Sequence, residues 1–108
     1  MTFADRLKNL RSLAGESQKY LANILGISDV MISQYENGKK MPGREMMKKI
    51  AKHYGTTLSD LWGESGDALS DELIILNRGA KKMTPEKQKQ LLEMAKVMFK
   101  EEFTEDDD

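Results

Sequence analysis

The sequence has no cysteine, which excludes disulfides, thiolate nucleophiles and thiolate metal sites and suits a reducing compartment. Its only histidine, His53, leaves no pair of imidazoles for a metal site or a Ser/His catalytic set. No stretch approaches the roughly 18 uninterrupted apolar residues that span a bilayer, and the opening MTFADRLKNLR lacks the apolar core of a signal peptide. These absences point to a soluble, cytoplasmic chain that has no metal and no cofactor, and an enzyme is the class they support least. What is present is about one domain's worth of chain, 108 residues, long enough to bury a core of ordinary size.

Charge is abundant but unevenly placed. The formal net charge is −1, which at first argues against a nucleic-acid partner. Residues 1–63, however, carry ten basic and six acidic side chains, a net of +4, whereas residues 64–108 carry seven and twelve, a net of −5. Six of those acids fall in the last eight residues. The chain is a mildly basic front joined to an acidic back.

Apolar residues at helical spacing, punctuated by capping residues and glycines, give an all-α reading. Phe3, Leu7, Leu10 and Ala14 define a first helix over 2–14, with Thr2 as its cap and Gly15 as its stop. A second starts at Ser17 and ends at Gly26, and a third starts at Ser28 and is closed by Asn37 and Gly38. Beyond the basic loop Lys39, Lys40, Met41, Pro42, a fourth helix spans Arg44 to Tyr54. A short fifth, Leu58 to Trp62, brings Leu61 and Trp62 to the same core. Residues 1–63 therefore read as a five-helix domain and 64–70 as a polar, Gly-containing linker. Leu69 to Asn77 suggest a sixth helix ending near Gly79. Thr84, Pro85 and Glu86 open a seventh that reaches Phe103. Residues 71–103 would then form a helical hairpin with too little apolar surface to stand alone, so that it must pack on the front domain or on another copy. The acidic tail 104–108 reads as disordered.

Helices two and three, joined by the tight turn Gly26 and Ile27, have the layout of a helix-turn-helix. The ordered segments S-Q-x-x-L-A from Ser17, L-G-I-S from Leu25, I-S-Q-Y-E-N-G-K from Ile32 and the later P-x-x-x-x-x-x-x-I-A-K from Pro42 resemble the Xre/Cro family of prokaryotic and phage repressors. The resemblance covers roughly residues 3–62. It implies a repressor-like DNA-binding domain, with a C-terminal helical hairpin appended, whose third helix enters the major groove of double-stranded DNA.

Helix geometry identifies the face that would do so. With Ile32 taken as the inward direction, steps of about 100° per residue place Tyr35 and Glu36 near it and send Val30, Ser33 and Gln34 to the opposite side. Gln34 suits the edge of adenine, and Val30 suits a thymine methyl. Ser33 fits a phosphate as well as it fits an unremarkable exposed position. The resemblance brings Asp29, at the helix start, toward the bases and counts the Ser28 cap among the DNA-binding positions. Asp29 departs from the family's polar or basic residue at that place. It either accepts from a cytosine amino group or serves only the cap and the helix dipole.

The resemblance also implies that Gln18 contacts a phosphate and buttresses the recognition helix, and that Arg11 and Glu36 form a partly buried ion pair. Asn37, Lys39, Lys40 and Arg44 would meet phosphates and fix register without reading sequence. His53 reads as a surface residue, and Asp67, Asp71 and Glu72 form no ligand or acid/base pattern. A homodimer on a roughly palindromic operator would present two recognition helices about 34 Å apart. Leu73, Ile74, Leu91, Leu92, Ala95, Met98 and Phe99 are its expected seam. An antitoxin that regulates its own synthesis and a protein-bridging coactivator are the competing readings. An anti-repressor, a toxin or a protease would be the corresponding protein partner.

Overall fold

The computed structural model describes residues 2–63 and 69–104. Eight helices lie among them: α1 (Phe3–Leu13), α2 (Gln18–Leu25), α3 (Asp29–Glu36), α4 (Arg44–Tyr54), α5 (Leu58–Trp62), α6 (Asp71–Lys81), α7 (Pro85–Met98) and α8 (Lys100–Phe103). Most of the expected linker, at 64–68, and most of the acidic tail, at 105–108, fall outside the described residues.

Local chemistry sets the boundaries. The hydroxyls of Thr2, Ser17, Ser28, Thr57 and Thr84 each accept from a backbone amide three residues on, satisfying a donor the first helical turn leaves orphaned. At α1 the cap is reciprocal, because Asp5 reaches back to the Thr2 amide at 3.3 Å. The Thr2 hydrogen bonds hold the Asp5 carboxyl below the usual carboxylate range. Gly26 ends α2 with φ +74°, a left-handed backbone that lets the chain reverse into α3 within two residues.

The chain divides into two compact units, Met1–Arg78 and Gly79–Asp108. In the first, α1 contributes Phe3, Leu7 and Leu10 to the core, α2 Leu21 and Leu25, α3 Ile32 and Tyr35, α4 Met47, Ile50 and Tyr54, and α5 Leu61. Trp62 stays 40% exposed and only stacks on Phe3 at 6.1 Å between ring centroids, so it lies at the rim and not in the core as expected.

Helix α6 corrects the sequence reading more substantially. Ile74 is 1% exposed and sits in this same core, and Asp71 is buried with it. The Asp71 carboxylate accepts from Arg6 Nη1 and from Asn9 Nδ2, both at 2.7 Å. The start of α6 is therefore a sixth helix of the first unit. It also runs past Gly79 to Lys81, because Gly79 keeps a helical backbone.

The second unit is built differently. Gln88 donates to the Ala80 carbonyl at 2.8 Å, but no residue of α7 or α8 is buried. The expected single helix to Phe103 is broken at Phe99, whose φ of −129° and ψ of 59° interrupt the helical backbone between α7 and α8. No described helix is long and apolar enough to cross a membrane.

Candidate nucleic-acid interface

On α3 the inward side is closed by Ile32, 0% exposed, together with buried Tyr35 and Glu36. The opposite side carries Val30, 62% exposed, beside exposed Asp29 and half-buried Ser33 and Gln34. Ser28 spends its hydroxyl on the Met31 amide, at 3.1 Å. The first amides of α2 and of α3 precede the capped ones and point along the helix axis, where the helix dipole favours an anion.

What holds this face in place is a buried carboxylate. Glu36 accepts from Arg11 Nε at 2.6 Å, from Arg11 Nη2 at 3.1 Å and from Gln18 Nε2 at 3.1 Å. The fork on Arg11 is bidentate, and the hydrogen bond with Glu36 raises the guanidinium pKa further. One side chain at the end of α3 thus ties α1 to the start of α2. The Gln18 amide nitrogen is engaged in that buttress, leaving its oxygen as the free end of the side chain.

The loop after α3 folds back under it. The Gln34 carbonyl accepts from the amides of Lys39, at 2.9 Å, and Lys40, at 3.2 Å. Asn37 Oδ1 accepts from the Lys39 amide, and Gly38 has φ +79°. Asn37, Lys39, Lys40 and Arg44 are all exposed. The two backbone hydrogen bonds hold Lys39 and Lys40 beside the last turn of α3. The helix-turn-helix family profile matches residues 7–61, from within α1 to within α5.

The chain belongs to the Xre-like helix-turn-helix family.

Two curated relatives show how far the likeness extends. The HTH-type transcriptional activator BcrR of Enterococcus faecalis is 36% identical over 61 residues, which is 56% of this chain but 30% of BcrR. The cryptic phage CTXphi transcriptional repressor RstR of Vibrio cholerae is 28% identical over 89 residues, 82% of this chain and 80% of RstR. A transcriptional regulator from Listeria innocua shares the fold, with a TM-score of 0.57 over 91% of this chain and 95% of that one at 19% identity.

Several residues of this helix-turn-helix protein occupy places the sequence did not indicate. His53 is not a free surface residue: its Nε2 lies 2.6 Å from Glu16 Oε2, and its side chain is 10% exposed. Glu16 Oε1 also accepts from the Tyr54 hydroxyl at 2.8 Å. Arg78 Nη2 stands 3.6 Å from Glu16 Oε2 and caps the Tyr54 ring at 5.6 Å from its centroid. Burial and the Glu16 carboxylate push the Tyr54 phenol well above its ordinary range. Glu16 sits in the loop before α2, where no periodicity marks it, and its partners are 37 to 62 residues away. Asp71 likewise gains its role only through Arg6 and Asn9.

The expected seam needs a comparable correction. Ile74 is in the core of the first unit and cannot line an exposed interface. Leu91 and Ala95 are half-buried, while Leu73, Leu92, Met98 and Phe99 are exposed. Met94 and Val97, absent from the expected seam, are 61% and 82% exposed beside Met98. No group of three or more His, Asp or Glu side chains among the described residues is placed to hold a metal ion.

Proposed function

We propose that this helix-turn-helix protein is a repressor that binds a roughly palindromic DNA operator as a homodimer. The observation that carries the reading is the outward face of α3, where Val30 is 62% exposed while Glu36 anchors the same helix from behind. In the major groove that face offers Gln34 to an adenine, Val30 to a thymine methyl and Asp29 to a cytosine amino group. Ser28, Ser33, Asn37, Lys39, Lys40 and Arg44 meet the sugar-phosphate backbone, as does the remaining end of Gln18.

Repression is favoured over activation because the phage repressor RstR is matched over 80% of its own length, whereas the activator BcrR is matched over 30%. Pairing of two copies follows from affinity and from surface. One such helix reads too few base pairs to select a site, and α7 exposes Met94, Val97 and Met98 and has no fully buried residue. The seam of the proposed dimer is accordingly Met94, Val97 and Met98 with Leu92 and Phe99, and Ile74 is left out of it.

Selection from random duplex DNA tests the reading. The expected product is an enriched, two-fold related sequence with half-sites about one helical turn apart. Recovery of sequences without symmetry would remove the dimer, and recovery of none would remove sequence-specific binding.

A further inference from the structure

Helix α6 lies beyond the family match, which ends at residue 61, yet its first part is anchored in the DNA-reading unit at both ends. Asp71 is held by Arg6 and Asn9 of α1. Just under one turn on, Ile74 enters the core, and at the last residue of the unit Arg78 reaches Glu16 and the Tyr54 ring. Glu16 in turn is fixed by its backbone. Its carbonyl accepts from Arg11 Nη1 at 2.7 Å and its amide donates to the Arg11 carbonyl at 3.0 Å. Arg11 is the residue that clamps Glu36 at the end of α3, and Glu36 also holds Gln18 at the start of α2.

We propose that α6 is a strut of DNA reading and that Arg78 is its positioning residue, holding the turn before α2 through Glu16 and, by way of Arg11 and Glu36, the orientation of α3. The inference rests on the reading of α3 as the DNA-contacting helix. Its physical content is that Arg78, which contacts none of the outward α3 side chains, sets how well they are presented. Since α6 continues through Gly79 to Lys81, a change of state in the second unit that displaced the end of α6 would act on the same contacts. The strut therefore gives this protein a route for regulating operator affinity from outside the reading head.

The test uses the full chain. Operator affinity is measured over a salt series for wild type, Arg78→Gln, Arg78→Lys, Glu16→Gln and the Arg78→Gln/Glu16→Gln pair. Amide NMR spectra are recorded without DNA. Arg78→Gln should weaken operator binding by roughly five- to tenfold, with the salt slope unchanged. Arg78→Lys should restore part of that loss, and the double variant should be no worse than its weaker parent. Without DNA, the amides of Gln18 and Gln34 should shift in Arg78→Gln.

A salt slope reduced by about 0.9 would mean that Arg78 itself meets a phosphate, and would overturn the proposal. So would unchanged affinity. Ile74→Val supplies the stability control: an equal loss of affinity in that variant would reduce Arg78 to a general stabilising role and refute positioning. A wild-type chain without operator preference would defeat the DNA reading itself. Even then the DNA-free spectra decide the strut, since shifts confined to the neighbours of Arg78 would contradict it.

Discussion

The two units of this chain put their apolar side chains to opposite uses. The first buries a core of them, from Phe3 to Ile74, and surrounds it with ion pairs, Arg11 with Glu36, Arg6 with Asp71 and Arg78 with Glu16, the last carboxylate also meeting His53. The second, among its described residues, fully buries none and leaves Met94, Val97 and Met98 facing solvent. Both are helical and both are amphipathic in sequence. The contrast shows that apolar periodicity measures the capacity to be covered, while the cover itself comes from neighbouring elements. A helix whose neighbours are missing from its own unit is suited to a second copy.

Four perturbations would sharpen or break that contrast, and the largest belongs to the first unit. Glu36→Ala leaves Arg11 and Gln18 facing an empty, largely buried site, and should lower unfolding stability by about 3 kcal/mol, read from urea denaturation. An effect under about 1 kcal/mol would show that the pair does not hold the head together. In the second unit the corresponding change is Met98→Lys. It should leave the urea midpoint of the head in place while weakening self-association by roughly 2 kcal/mol, read by sedimentation, as for a central interface residue.

Gln34→Ala leaves the Glu36 anchor in place and should cost about 1–3 kcal/mol of discrimination at a single base pair, visible in competition binding with substituted operators. The smallest effect concerns pH. Because Tyr54 is raised above its ordinary value of 10.0, the unfolded chain loses that proton first. The Tyr54 contribution is complete below pH 10 and declines as pH rises beyond it, by about 1.4 kcal/mol per unit. Comparison of wild type with Tyr54→Phe between pH 9 and 11 should isolate this decline, and parallel curves would contradict it.

Helix limits in the first unit were legible because they are local: a hydroxyl three residues before an amide, or a glycine free to turn left-handed, acts on its own neighbours in sequence. The outward face of α3 was legible for the same reason, since the angular step of a helix is fixed and Ile32 sets its origin. Other features depended on residues distant in the chain. Glu16 is one loop carboxylate among many until His53, Tyr54 and Arg78 are brought around it. Ile74 has the same periodic signature as Leu91, and only the packing of α6 on the first unit separates the buried residue from the half-buried one. The break at Phe99 carries neither glycine nor proline to announce it. On the proposed reading, the basic front and acidic back, which sum to a net charge of −1, would restrain non-specific attraction to bulk phosphate and leave the charges of the Asn37 to Arg44 loop to act locally.

The division of labour between a reading head and an associating second unit is tested most directly by sedimentation equilibrium of two chains, full length and residues 1–78, alone and on a selected operator half-site. The cut at 78 retains Ile74, Asp71 and Arg78, which a cut after Gly63 would remove. The account predicts a full-length dimer and a shortened monomer that still prefers the half-site sequence. A shortened chain that remained dimeric would contradict it, because association would then reside in the head.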